Sequence, residues 1–228
     1  MTTTDQILAL AVRPTPTAEA DAGLARFAEA ADAGMNSHVV RALRTLRPAD
    51  DGPAWRAWLS ATAALAAPGG AASGGAAAGG AIPGGAMPGG AAPAVGPEVT
   101  MVVCAAATAL GDDCSAAVAA GLRAATLAED GLATAAGWSV PVVSAAIGAG
   151  LAAGLMLGLP DAQLRNAIGI CATQAAGLRA AGGTDAALLQ VGKAAFNAVE
   201  AAQLAGLGFT SSREPLDGRR ALFPLFSS

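Results

Sequence analysis

A chain of 228 residues with 54% hydrophobic residues can bury a sizeable core as one large domain or two small ones, which excludes disorder of the whole chain. A net charge of -4, a pI near 4.9 and 13 Lys plus Arg scattered without a basic stripe exclude the electrostatic footprint of a nucleic-acid partner. Aromatics make up only 4%, Tyr is absent, and Ala and Gly abound, so the core must consist of small side chains that let backbones approach closely. Helices packed at short distance meet that demand, whereas sheets would need more Val, Ile and aromatic residues.

Residues 1–67 carry most of the ordinary charged and aromatic content, Trp55 and Trp58 included, and read as two or three helices interrupted by Pro14, Pro16, Pro48 and Pro53. The start, MTTTDQILALAVRPTP, lacks a basic segment followed by an apolar core, so no secretory leader is expected. His38, the single histidine, is expected at a helix surface or a satisfied core position and leaves no second imidazole for a metal cage. Neither a metal nor a cofactor is therefore expected. Composition then changes: Gly-Gly recurs every five residues in PGGAASGGAAAGGAIPGGAMPGG. So few bulky side chains cannot offset backbone entropy by burial, and residues 68–95 read as a flexible low-complexity loop. A phosphate cradle would need a preceding strand and usually a Lys or Ser at a set place, and these do not appear.

From Glu98 onward helical signals become regular. VTMVVCAAATAL reads as a helix stopped near Gly111, and the next restarts after Asp112, Asp113 and Ser115, residue types that cap, and runs to about Ala136. A third follows Gly137 and Trp138. A fourth starts with Pro160 at its first position and Asp161 at its positive dipole end, and is ended by Gly182 and Gly183. The fifth spans about Asp185 to Gly206. On it Gln190, Lys193, Asn197 and Glu200 recur at intervals that place them on one narrow arc, with Val191, Ala195, Val199 and Ala202 on the opposite, apolar face. Cys104, Cys114 and Cys171 show no C-x-x-C spacing and read as buried thiols in a reducing compartment, which makes the expected location cytoplasmic.

The uncharged run VPVVSAAIGAGLAAGLMLGL is about as long as a bilayer crossing. Against spanning, it is half Ala and Gly, holds Pro141 near its start, and lacks flanking Lys or Arg and an aromatic residue at each interface. A fully buried central helix is expected instead, with Gly148, Gly150, Ala152 and Gly154 predicting tight packing.

Two longer stretches carry a resemblance. GWSVPVVSAAIGAGLAAGLMLGLPDAQLRNAIGICATQAAGL resembles the MmgE/PrpD segment in which a G-F-H-P-T-like turn feeds an apolar helix followed by an L-G-L-(D/P) turn. GTDAALLQVGKAAFNAVEAAQLAGLGFTSS is similar to the family's G-T-x-T-K-x-L-H-x-G-(K/R)-A-A run, and EPLDGRRALFPLF to its L-E-G-R-R-G-F-F junction. The likeness covers roughly residues 96–226; residues 1–95 match poorly. It implies an all-α helical bundle like the family's N-terminal helical domain, normally dimeric, and without the α+β lid domain that follows in family members. The expected organisation is thus 1–67 as a helical N-terminal region, 68–95 as the loop and 96–228 as the family-like core ending at the lid junction.

Family members include 2-methylcitrate dehydratase and cis-aconitate decarboxylase, lyases of small polycarboxylates. Such chemistry needs cations to neutralise carboxylates and a group to move a proton. Carried over residue by residue, the resemblance puts the histidine of the G-F-H-P-T turn at Ser139, the lysine of G-T-x-T-K at Ala187 and the histidine of L-H-x-G at Gln190. The H-P-S-like motif falls on Gly96 and Pro97, and the acidic stretch upstream of it on the Gly-Gly repeat. Lys193 keeps its charge. Thr184, Asp185, Lys193 and Asn197 remain as binding candidates for a small carboxylate, against a helix cap and a solvated polar stripe. The resemblance therefore implies a non-catalytic or altered family homologue, a homodimer or a hetero-oligomer with a full-length relative; a residual lyase or isomerase and a membrane-associated helical protein are the alternatives.

Overall fold

The computed structural model describes residues 1–47, 49–68, 96–132 and 137–226. The chain is all-α, and among the described residues the extended pairing is one isolated antiparallel bridge between Trp138 and Leu178. The Gly-Gly repeat, expected as a loop, lies outside the described residues.

Four helices occupy the N-terminal region where two or three were expected: α1 (Thr3–Ala9), α2 (Ala18–Gly34), α3 (His38–Leu46) and α4 (Pro53–Ala66). Local chemistry accounts for the breaks. Thr2 and Asp5 form a capping box on α1, Thr17 accepts from the Ala20 amide to cap α2, Ser37 caps α3, and Pro53 opens α4 at a position where its missing N–H costs nothing.

The later helices are α5 (Pro97–Thr108), α6 (Ser115–Gly131), α7 (Val140–Met156), α8 (Asp161–Thr173), α9 (Asp185–Gly206) and the short α10 (Leu222–Phe226). None of the residues proposed to cap α6 does so. Cys114 occupies the cap without a side-chain bond, and Ser115 turns its hydroxyl to the Asp21 carboxylate on α2, a tertiary partner that local reading does not see. Helix α6 also ends at Gly131, short of Ala136; residues 133–136 lie outside the described residues. Pro160 caps α8 and Asp161 is its first residue, one position from the expectation. More consequentially, α8 ends at Thr173 rather than at Gly182 and Gly183. Gly177 adopts φ 142, open to glycine, and the chain turns extended to bond the start of α7: Ser139 N–H donates to Gly177 O at 3.0 Å and Arg179 N–H to Gly137 O at 3.1 Å. Those bonds satisfy backbone groups that a longer α8 would have satisfied internally.

Helix α7 is the axis of the bundle, touching α5, α6, α8 and α9. Almost all of it is buried, with Ile147 and Leu151 inaccessible to solvent. Burial of each such side chain is worth about 1.5–3 kcal/mol over exposure. Among the described residues no helix is long and apolar enough to cross a membrane. The close packing predicted from the small residues is present: a Cβ on Gly148 would fall 2.3 Å from the Gly121 carbonyl oxygen of α6, and one on Gly150 would fall 2.6 Å from Cys171 Sγ of α8. Contacts pair Gly121 with Gly148 and Glu129 with Ser144, so α6 runs antiparallel to α7. Helix α9 runs parallel to it, since Gln190 meets the Gly177–Leu178 strand beside the start of α7 while Gly206 packs on Leu159 at its end. The N-terminal helices join the same hydrophobic core through Ile7, Phe27, Val39 and Leu65.

Candidate functional site

The parallel placement of α7 and α9 brings Ser139 and Gln190, two of the three positions at which the resemblance puts family residues, to one corner. Ser139 precedes α7 and donates its amide to Gly177 O. Gln190, in the second turn of α9, grips the next residue with both ends of its amide: Leu178 N–H donates to Gln190 Oε1, and Gln190 Nε2 donates to Leu178 O at 3.4 Å. Ala187 sits one turn earlier on α9, half-buried. The corner that Ser139 and Gln190 build is closed by backbone and amide hydrogen bonds, and neither of these side chains nor Ala187 can hold or release a proton near neutral pH.

The four binding candidates face different neighbours. Thr184 caps α9 by position, but its hydroxyl donates to Ala181 O at 2.6 Å. Asp185 Oδ2 lies 2.9 Å from His38 Nε2 at the start of α3, an exposed pair that ties the two helix starts together. His38 was expected at a helix surface or a satisfied core position, and it is exposed; its partner, distant in sequence, was not legible there. Asn197 is buried and its Nδ2 donates to Gln174 O at 3.4 Å, so it pins the segment leaving α8. The arc on α9 is thus divided: Gln190 and Asn197 hold the Gln174–Leu178 segment, while Lys193 turns toward α4.

Lys193 enters a group of aromatic rings. Its Nζ lies 3.7 Å from the Phe196 ring centroid and 5.0 Å from that of Trp58. Arg47, at the end of α3, approaches the same group, its Cζ 5.5 Å from the Trp55 centroid and 5.9 Å from that of Phe196. The rings meet edge to face, Trp55 with Trp58 at 5.2 Å and Trp58 with Phe196 at 5.5 Å. Burial lowers the Lys193 pKa from the ordinary lysine value; the Glu200 carboxylate opposes that shift and the Arg47 guanidinium adds to it. Arg47, Trp58 and Phe196 were not singled out by the sequence reading. The signal was there in the three-residue spacings of Trp55 with Trp58 and of Lys193 with Phe196, which put each pair on one helix face.

A second half-buried group lies where α5 begins and α6 ends. Burial pushes the Glu98 and Glu129 carboxyls up, and Ser144 O–H donates to Glu129 Oε1 at 3.1 Å. The sequence reading had not marked this pair. The cysteines lie apart from both groups and are buried, as expected; burial pushes the Cys104 and Cys171 thiols up to about 12, so neither offers a thiolate nucleophile.

Comparison with known proteins finds that residues 132–228 match the family model of the MmgE/PrpD N-terminal domain. That span contains Ser139, Ala187, Gln190 and Lys193. No match was found among curated proteins.

Proposed function

Since the chain belongs to the MmgE/PrpD family through the N-terminal-domain sequence of residues 132–228, we propose that its inherited site no longer performs lyase chemistry and that its helical domain serves in binding or assembly. The Gln190 amide carries this reading. It stands where the resemblance puts a family histidine, and both of its polar ends are engaged by the Leu178 backbone. Ser139 and Ala187, at the positions of the second histidine and of the lysine, supply no titratable group in its place. Elimination from a polycarboxylate develops charge on a substrate that already carries several charges, and without preorganised cations and a proton carrier the barrier stays high. Loss of one such group typically costs about a hundredfold to a thousandfold, and losses within one catalytic unit do not simply add. The proposed partner is a second copy of this chain or a full-length relative that carries the complete site.

Turnover of 2-methylcitrate and cis-aconitate by purified protein, followed by proton NMR beside a full-length relative, tests the proposal. The expected result is no measurable product from either acid. Turnover within about a hundredfold of the relative, abolished by Lys193→Met or His38→Gln, would establish a rebuilt active site and favour the residual lyase or isomerase.

A further inference from the structure

Helix α1 lies outside residues 132–228 but is fastened to them. Arg165 on α8 holds it with one arm, Nη2 donating to Asp5 Oδ1 at 2.9 Å, and with the other reaches the chain beyond α9, Nη1 donating to Arg213 O at 3.1 Å. A second tie joins α1 to that chain directly: Thr4 N–H donates to Asp217 Oδ2 at 3.2 Å. The segment 211–217 is itself pressed onto α8, where the Ser211 amide donates to Asn166 Oδ1 at 3.1 Å and a Cβ on Gly169 would fall 2.1 Å from Ser211 Oγ. Apart from these ties α1 is poorly held. Its seven residues cannot stay helical unaided, since isolated helices shorter than about 12–15 residues are marginal in water. Its apolar grip rests on Ile7 and Leu8, and an open cleft of about 260 Å³ runs between it and α8 beside Leu8, Val12 and Asp161. The Thr4 hydroxyl is buried without a hydrogen-bond partner, which opposes docking.

We infer that α1 is a charge-latched strap that releases as a unit before the bundle unfolds, and that its release frees residues 211–217 from α8. Arg165 couples the two, because one guanidinium serves both: once Asp5 leaves, the fork is no longer oriented toward Arg213 O. The latch is partly exposed, so added salt screens it. Acid is not the trigger, because Arg165 and then Thr2 hold the Asp5 carboxyl at about 2. Its contribution is present above the ordinary carboxylate value and is lost only as pH falls through the folded one, so the strap answers to ionic strength. Segment 211–217 starts two residues after the exposed Phe209, and the strap therefore sets how firmly that apolar side chain is held at the surface.

Hydrogen exchange of the full chain, followed by mass spectrometry, tests the strap. Raising the salt from about 0.05 M to about 0.5 M is expected to speed exchange about threefold to tenfold at the amides of residues 6–11 and, in step, at those of Ser211 and Leu222, which bond Asn166 and Pro215. Amides of α7 should not change. Asp5→Asn keeps an acceptor for the Thr2 amide and removes the charge, so at low salt it should produce the same acceleration in both places and remove most of the response to salt. Among the described residues Asp5 bonds Thr2 and Arg165 and nothing in 211–217, so an effect there reads the coupling and not a local loss. Thr4→Val removes the unmet hydroxyl and should slow exchange in both places, whereas Arg44→Met, on α3, leaves them unchanged. Acceleration confined to residues 6–11 in Asp5→Asn, indifference to salt, or exchange of 211–217 that rises only together with that of α7 would overturn the inference.

Discussion

Glu129 shows how one side chain's position sets its charge. It lies in the last turn of α6, where the helix dipole disfavours an anion, and desolvation raises its carboxyl above the ordinary range. Asp130 and Glu98 push the same way, while the Ser144 hydroxyl pulls it down. A carboxyl raised on folding binds its proton more tightly in the folded chain than in the unfolded one. Its contribution is therefore favourable at low pH and is lost as pH rises from the ordinary carboxylate value through the folded one. Glu129→Gln keeps an acceptor for Ser144 and removes the charge, so it should stabilise the protein at pH 7 by about 0.5–1 kcal/mol. The gain in urea midpoint should shrink near pH 4; a loss at pH 7 would mean that an unseen cation serves Glu129. At this scale the sequence showed that Ser139, Ala187 and Gln190, where the resemblance puts two histidines and a lysine, carry no group that titrates near neutral pH. It did not show that Gln190 is occupied by Leu178, because a residue's hydrogen-bond partner across a turn depends on where α8 stops.

Among the elements, α7 and α9 could be read almost to the residue because their signals are local. Apolar runs, a proline near the start of α7 and an acidic first turn on α9 all agree with the observed bounds. The end of α8 could not be read. QAAGL contains no strong breaker before Gly177, and the segment leaves the helix because Trp138, Ser139, Gln190 and Asn197 hold it extended. The small-residue faces did foretell close helix contact, and Gly148 gives the clearest measurement of it. Gly148→Ala would drive its methyl into the Gly121 carbonyl, where backbone rather than a flexible side chain must yield. Overpacking of this kind should cost about 1–3 kcal/mol in urea unfolding. A neutral outcome would mean that α6 and α7 can slide apart at no cost.

In the whole molecule, α7 is enclosed, so it cannot supply the self-association surface that an apolar run in isolation suggests. Apolar side chains remain exposed where α7 and α9 end together: Leu157, Leu207 and Phe209, the last two 80% and 57% accessible. The proposed pairing of this chain with a second copy therefore predicts an interface at that end. Light scattering should report a dimer, and Leu207→Ser with Phe209→Ser should shift it toward monomer without loss of helical signal. A monomer at every accessible concentration would remove self-association from the proposal. Composition and spacing by themselves determined a helical chain of small side chains and the place of its central helix, because these follow from periodicity and local order along the chain, and the order of its motifs carried the resemblance that the match over residues 132–228 bears out. Only the tertiary structure decided that the substituted corner is closed on Leu178 and that Arg47 and Lys193 share one aromatic group. Those contacts join helices far apart in sequence, and they form only once backbone close approach has set how α3, α4, α7 and α9 lie against one another.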